Sequence, residues 1–179
     1  MVQGRGSILV LVALLWSLPL QAVAARSPSQ TTLEYSVKAN YLVRFAAFVE
    51  WPAQSFGEAR SPVVLCVVGR DPFSGSLDRA ARAQTAHGRA LVVQRPRTNE
   101  AVAGCHILYV GAGGASLVPA GHPAVLTVTD AAASDERGMI HFVISEGRVR
   151  FHIDLQAASR NRLSISSRLL NLALSVRGG

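Results

Sequence analysis

Residues 62–69 read Pro-Val-Val-Leu-Cys-Val-Val-Gly, an unbroken apolar run rich in β-branched side chains and closed by glycine. A run of that length without polar alternation marks a strand buried on both faces. Such strands lie inside a sheet that has helices above and below it. The rest of the chain keeps that rhythm. Asp71-Pro72-Phe73 reads as a helix start leading into Leu77 to Arg82; Ala90 to Gln94 is a second strand and Asn99 to Gly104 a brief helix. Cys105 to Val110 and Ala124 to Thr129 follow as third and fourth strands, the alternation of βαβ units.

The rhythm breaks after Gly138. Met139 to Ser145 and Arg148 to Ile153, joined by Glu146-Gly147, form an antiparallel hairpin. Asp154 caps a short helix through Arg160, Leu163 to Ile165 is extended, and Ser166 opens a final helix carrying Leu169, Leu172, Ala173 and Val176 at i, i+3, i+4 and i+7. Upstream, Thr31-Thr32-Leu33-Glu34 has the form of a capping box. It opens an amphipathic helix with Leu33, Val37, Tyr41, Phe45 and Phe48 on one face, ending before Trp51-Pro52. The fold class is therefore α/β: a single domain with a mixed, mostly parallel open sheet flanked by helices, ending in an antiparallel hairpin and C-terminal helices.

The first residues hold one arginine, Arg5, then an apolar run from Ile8 to Leu18 and the small residues Ala22-Val23-Ala24-Ala25. That pattern is a cleavable secretory signal peptide over 1–25, leaving 26–179 as the mature domain. The run is too short for a membrane anchor, which needs roughly 20 apolar residues. Export places the protein in the periplasm, where thiols are oxidised, so the two cysteines, Cys66 and Cys105, are expected to pair. Cys66 lies in the first buried strand and Cys105 at the head of the third, so the bridge requires those strands to be neighbours, as a doubly wound order makes them.

The formal charge is +7, carried almost entirely by arginine, with Lys38 the one lysine. The basic residues are scattered rather than striped with aromatics, so no nucleic-acid partner is expected. A positive surface suits acidic partners or anionic membranes. Catalytic chemistry finds no constellation. Val110-Gly111-Ala112-Gly113-Gly114-Ala115 lacks the third glycine of a dinucleotide loop, with Ser116 in its place, and reads as a surface connection. His87, His106, His122, His141 and His152 have no zinc-site spacing; His141 and His152 face each other across the hairpin as a cross-strand polar pair. No Gly-x-Ser-x-Gly elbow occurs, and neither cysteine has a general base beside it. The reading is of a non-enzyme with no cofactor and no metal. Asp71 and Asp130 each follow a strand, where open α/β sheets bind ligands; turn chemistry or helix capping is the plainer role of Asp71. Trp51 either packs on the sheet or lies open as a contact, and packing is expected because tryptophan is highly buried on average.

Tyr35-x-Val-Lys-Ala-x-Tyr-Leu-x-x-Phe45, Phe48-Val-Glu-Trp-Pro52, Leu65-Cys-Val-Val-Gly69 with Asp71-Pro-Phe73, and Cys105-His-Ile-Leu-Tyr109 stand in an order that resembles the YfiR family of periplasmic proteins. Val125-Leu-Thr-Val-Thr-Asp130, Gly138-Met-Ile-x-Phe142 and Leu163-x-Ile-Ser-Ser-x-Leu-Leu-x-Leu-Ala173 extend the resemblance over almost the whole mature chain. It implies a periplasmic repressor that binds the extracytoplasmic sensor domain of an inner-membrane diguanylate cyclase or related sensor protein, lowering cyclic di-GMP and biofilm formation. It also implies a homodimer and a disulfide between Cys66 and Cys105. A well-known member has a second cysteine pair in its C-terminal half, which this chain lacks. The resemblance supplies no catalytic residues. The alternative is a periplasmic small-ligand binder serving a transporter or sensor kinase. Expected contacts are the surface around Phe73, the connection from Gly111 to Leu117, and the turn from Asp135 to Gly138.

Overall fold

The computed structural model describes Met1 and residues 27–118, 124–133 and 136–178. The signal peptide expected over 1–25, apart from Met1, lies outside the described residues, as do His122 and Asp135. In chain order the helices are α1 (Pro28–Phe48), α2 (Ser76–Arg82), α3 (Asn99–Val102), α4 (Leu155–Arg160) and α5 (Ser167–Leu170). The strands are β1 (Val49–Glu50), β2 (Val63–Val68), β3 (Thr85–Ala86), β4 (Arg89–Gln94), β5 (Ile107–Val110), β6 (Leu126–Asp130), β7 (Ile140–Ser145), β8 (Arg148–Asp154), β9 (Ser164–Ile165) and β10 (Ser175–Arg177).

Eight strands form one sheet in the order β10-β8-β7-β6-β5-β2-β4-β3. The run β4-β2-β5-β6-β7 is parallel throughout, the doubly wound order in which the strand count reverses between β2 and β5. β7 and β8 pair antiparallel from Ile140↔Ile153 to Ser145↔Arg148, closing through Glu146 and Gly147, both at positive φ, as a two-residue hairpin requires. β1 and β9 form a separate antiparallel pair.

The alternation of side chains along β2 splits the interior in two. Val63, Leu65 and Val67 join the larger core with α1, α2, Ile107, Tyr109, Leu126, Val128, Ile140, Phe142, Phe151 and Ile153. Cys66 and Val68 join the smaller one with Val102, Cys105, Leu108, Val110 and Val125. Cys66 and Cys105 are disulfide-bonded across that smaller face, their Cα atoms 5.8 Å apart.

Four local expectations are corrected. α1 begins at Ser27-Pro28, with proline in its first turn, so Thr31 lies inside the helix and its hydroxyl bonds back to the Ser27 carbonyl rather than capping. The buried face of α1 is Lys38, Ala39, Leu42, Val43, Phe45 and Ala46; Leu33 and Val37 are exposed at 67% and 38%. Asp71 does not start a helix: its carboxylate accepts from the Phe73 N–H in a local turn, and α2 opens four residues later from Gly75. At the C-terminus the expected long helix is a single turn, α5, after which the chain extends as β10 and pairs parallel with β8. The helical spacing of the leucines was outweighed by an open sheet edge able to satisfy the backbone of 175–177.

Candidate functional site: a sealed crevice, a buried ion cluster and an open apolar groove

Open α/β sheets bind ligands outside the strand ends where the order reverses, here between the loops after β2 and β5. In this chain backbone fills that crevice. Gly111 N–H donates to the Val68 carbonyl at 2.8 Å and Arg70 N–H to the Ala112 carbonyl at 2.9 Å. A Cβ on Gly111 would lie 2.1 Å from the Arg70 carbonyl oxygen, and one on Gly114 would lie 2.7 Å from that of Val68. The glycines that imitate a dinucleotide loop are there for loop-to-loop contact. Gly111 is buried and Leu117 half-buried against the smaller core.

Beside this crevice, at the C-terminal ends of β5 and β6, the structure gathers a polar cluster under α1. Lys38, fully buried, donates to Asp130 at 2.6 Å and to Glu34 at 2.5 Å. Tyr109 donates its hydroxyl to the same Asp130 oxygen at 3.2 Å, and the second oxygen accepts from Ala132 N–H at 3.0 Å. The ammonium also sits 4.5 Å from the centre of the Tyr35 ring, a cation–π contact. Burial, reinforced by the charges of Asp130 and Glu34, pushes the Tyr35 hydroxyl up to about 12; burial raises Tyr109 too. Both phenols therefore stay neutral. The cluster contains two carboxylates and one cation, each hydrogen-bonded, and it ties α1 to the middle of the sheet.

The candidate residues do not converge on one site. Asp130 belongs to this cluster. Phe73 is buried, its ring edge-on to Tyr109 at 4.8 Å and to Tyr35 at 5.8 Å, so it is core and offers no surface. Asp71 pairs with Arg95 on the surface, 2.7 Å away. Gly138 packs against β6, its N–H donating to Thr129 Oγ1 at 2.8 Å. Trp51 is packed and half-buried, its Nε1 donating to the His106 carbonyl at 3.2 Å. His106 accepts from Val64 N–H, donates to the Ser55 carbonyl and stacks on Phe56 at 4.4 Å; burial lowers its pKa below the ordinary 6.5. Sequence reasoning missed the Lys38 cluster, although a lone lysine with Glu34 four residues before it on the helix was the visible signal.

The third feature is an open groove of about 1080 Å³ along α1, lined by Leu33, Glu34, Val37 and Tyr41, by Ile144 and Gly147 to Arg150 of the β7–β8 hairpin, and by Asn171 and Leu172. Leu172 is 54% exposed, and Leu174 and Val176 of the C-terminal segment are exposed too.

A family model described as YfiR/HmsC-like matches residues 35–174. The chain belongs to the YfiR/HmsC-like family. The matched span covers most of α1, the parallel strands β2, β4, β5, β6 and β7, the disulfide and the hairpin. YfiR/HmsC-like membership suggests a periplasmic regulator of cyclic di-GMP signalling, and the family is regulatory rather than catalytic. No curated protein matches the chain in a sequence search.

Proposed function

We propose that this YfiR/HmsC-like protein is exported to the periplasm, binds the extracytoplasmic sensor domain of a membrane-bound diguanylate cyclase, and represses it. The observation that carries the reading is the apolar groove. Among the described residues, apart from Met1, the large apolar side chains left exposed are Leu33, Val37, Leu172, Leu174 and Val176, and the first three line one continuous surface. An exposed apolar patch bordered by polar groups is the usual mark of a protein contact. The small-ligand alternative draws no comparable support. Its expected crevice is filled by backbone, and the nearby polar groups are turned toward one another.

Repression through such a surface is differential binding. A regulator shifts a cyclase between active and inactive states only by the difference in its affinity for the two, about 5.5 kcal/mol for a swing from 99:1 to 1:99. Deleting the gene and measuring cyclic di-GMP tests the reading. A rise is expected, reversed by an exported copy and not by one lacking residues 1–25. An unchanged level, with the cyclases expressed, would reject it.

A further inference from the structure

The groove has a main-chain feature as well as an apolar floor. Asp154 N–H donates to the Met139 carbonyl on the inner side of β8, while the Phe151 carbonyl accepts from Leu174 N–H on the outer side. Backbone groups alternate along a strand, so Phe151 and Ile153 face outward, and Val149 does too. β10 pairs with β8 only from His152 to Asp154. Among the described residues no strand therefore stands opposite the outward N–H and C=O of Val149, and this stretch of the edge lines the groove. The Val149 side chain lies on the α1 face, packed against the larger core. Arg148 and Arg150 project to the other face by the same alternation, and neither side chain forms an ion pair among the described residues.

We infer that this edge takes an extended segment of the partner protein in which one apolar residue is flanked by two carboxylates. The proposal rests on the reading above and specifies the partner's contact. A strand laid along 148–150 would exchange backbone hydrogen bonds with Val149, the mode by which exposed sheet edges capture peptides. Its central side chain would share the Val149 face and enter the space between Leu33, Val37 and Leu172. Its two neighbours would fall on the opposite face, beside Arg148 and Arg150, where opposite charges across a strand pair attract. A second copy of this chain is a poorer occupant, because it would bring uncompensated arginines toward arginines on a chain of net charge +7.

The test uses the mature oxidised protein, labelled with ¹⁵N, titrated with the pentapeptide acetyl-Thr-Glu-Leu-Glu-Thr-amide and with a control carrying lysine for both glutamates. Saturable amide shifts are expected at Arg148, Val149, Arg150, Leu33, Val37 and Leu172, with the lysine peptide about tenfold weaker or more. Because a proline at 149 risks the hairpin, the decisive variant is Arg148→Glu with Arg150→Glu, which should reverse the preference between the two peptides. Equal shifts with both peptides, or shifts elsewhere, would overturn the inference. So would binding to phosphatidylglycerol vesicles that the peptide does not displace, or concentration-dependent shifts without peptide that indicate a second copy. Should cyclic di-GMP respond to gene deletion while the glutamate peptide fails to bind, the edge proposal falls and the repressor reading stands. Should the peptide bind while cyclic di-GMP is unmoved, the edge stands and its partner is another protein.

Discussion

Replacing Lys38 by methionine isolates the buried cluster. The thioether fills much of the volume of the lysine stem and removes only the ammonium, leaving Asp130, 1% exposed, with Tyr109 and Ala132 as its remaining donors. Breaking a buried pair by removing one partner costs about 3–5 kcal/mol, because the surviving charge stays desolvated. At about 2–4 °C per kcal/mol for a domain of this size, the melting midpoint should fall by roughly 6–20 °C. Asp130→Asn in the same chain removes the more deeply buried of the two carboxylates that lose the ammonium and keeps an oxygen for Ala132 N–H. The double variant should recover much of the loss, with a coupling energy of about 2–3 kcal/mol. Thermal melts followed by circular dichroism on the parent, both single variants and the double complete the cycle. A Lys38→Met protein within about 1 kcal/mol of the parent, or a double variant whose loss is the sum of the singles, would refute the cluster as the anchor of α1.

Two further outcomes follow from the same structure. Thiol titration of protein purified without reductant should find no free sulfhydryl, and Cys66→Ser should lower the midpoint by several degrees, since closing a loop of 39 residues is worth about 4 kcal/mol in the chain-entropy model. Stability should also fall as pH drops below about 6.5. His106, His141 and His152 have folded pKa values lowered first by burial, so the unfolded chain binds more protons as acid is added. Their contribution is complete above the ordinary value of 6.5 and is lost on acidification through the lowered values, whereas Asp78 and Asp154, lowered by Arg95 and Arg177, weaken the fold only below about 3.8. Melts from pH 8 to 5 check it; a midpoint that rises on acidification over that window would contradict it.

The parallel strands were legible because each is a short apolar run with glycine, proline or an acidic residue close by, and in β2, β5 and β6 burial on both faces leaves little ambiguity of pattern. The hairpin was legible from Glu146-Gly147 and the disulfide from two cysteines in a chain expected to be exported. What failed were places where distant elements decide. The leucines from Leu169 onward have helical spacing, and only the unpaired edge of β8 explains why 175–177 extend instead. The apolar stripe of α1 was misassigned at Leu33 and Val37, because Lys38, polar in any pattern count, occupies the buried face through Asp130, 92 positions away. Gly111 and Gly114 looked like a flexible connection, while their contacts with Val68 and Arg70 depend on two strands that the sequence separates.

The most direct measurement of the central claim is the rate of cyclic di-GMP synthesis by membranes carrying the cyclase, as purified mature oxidised protein is added. Saturable inhibition is expected from the parent. It should be lost in a Leu33→Glu, Leu172→Glu variant, whose exposed substitutions leave the melting midpoint nearly unchanged because neither side chain is in the core. A synthesis rate indifferent to the parent protein at saturating concentration, or equal inhibition by the folded groove variant, would contradict the account.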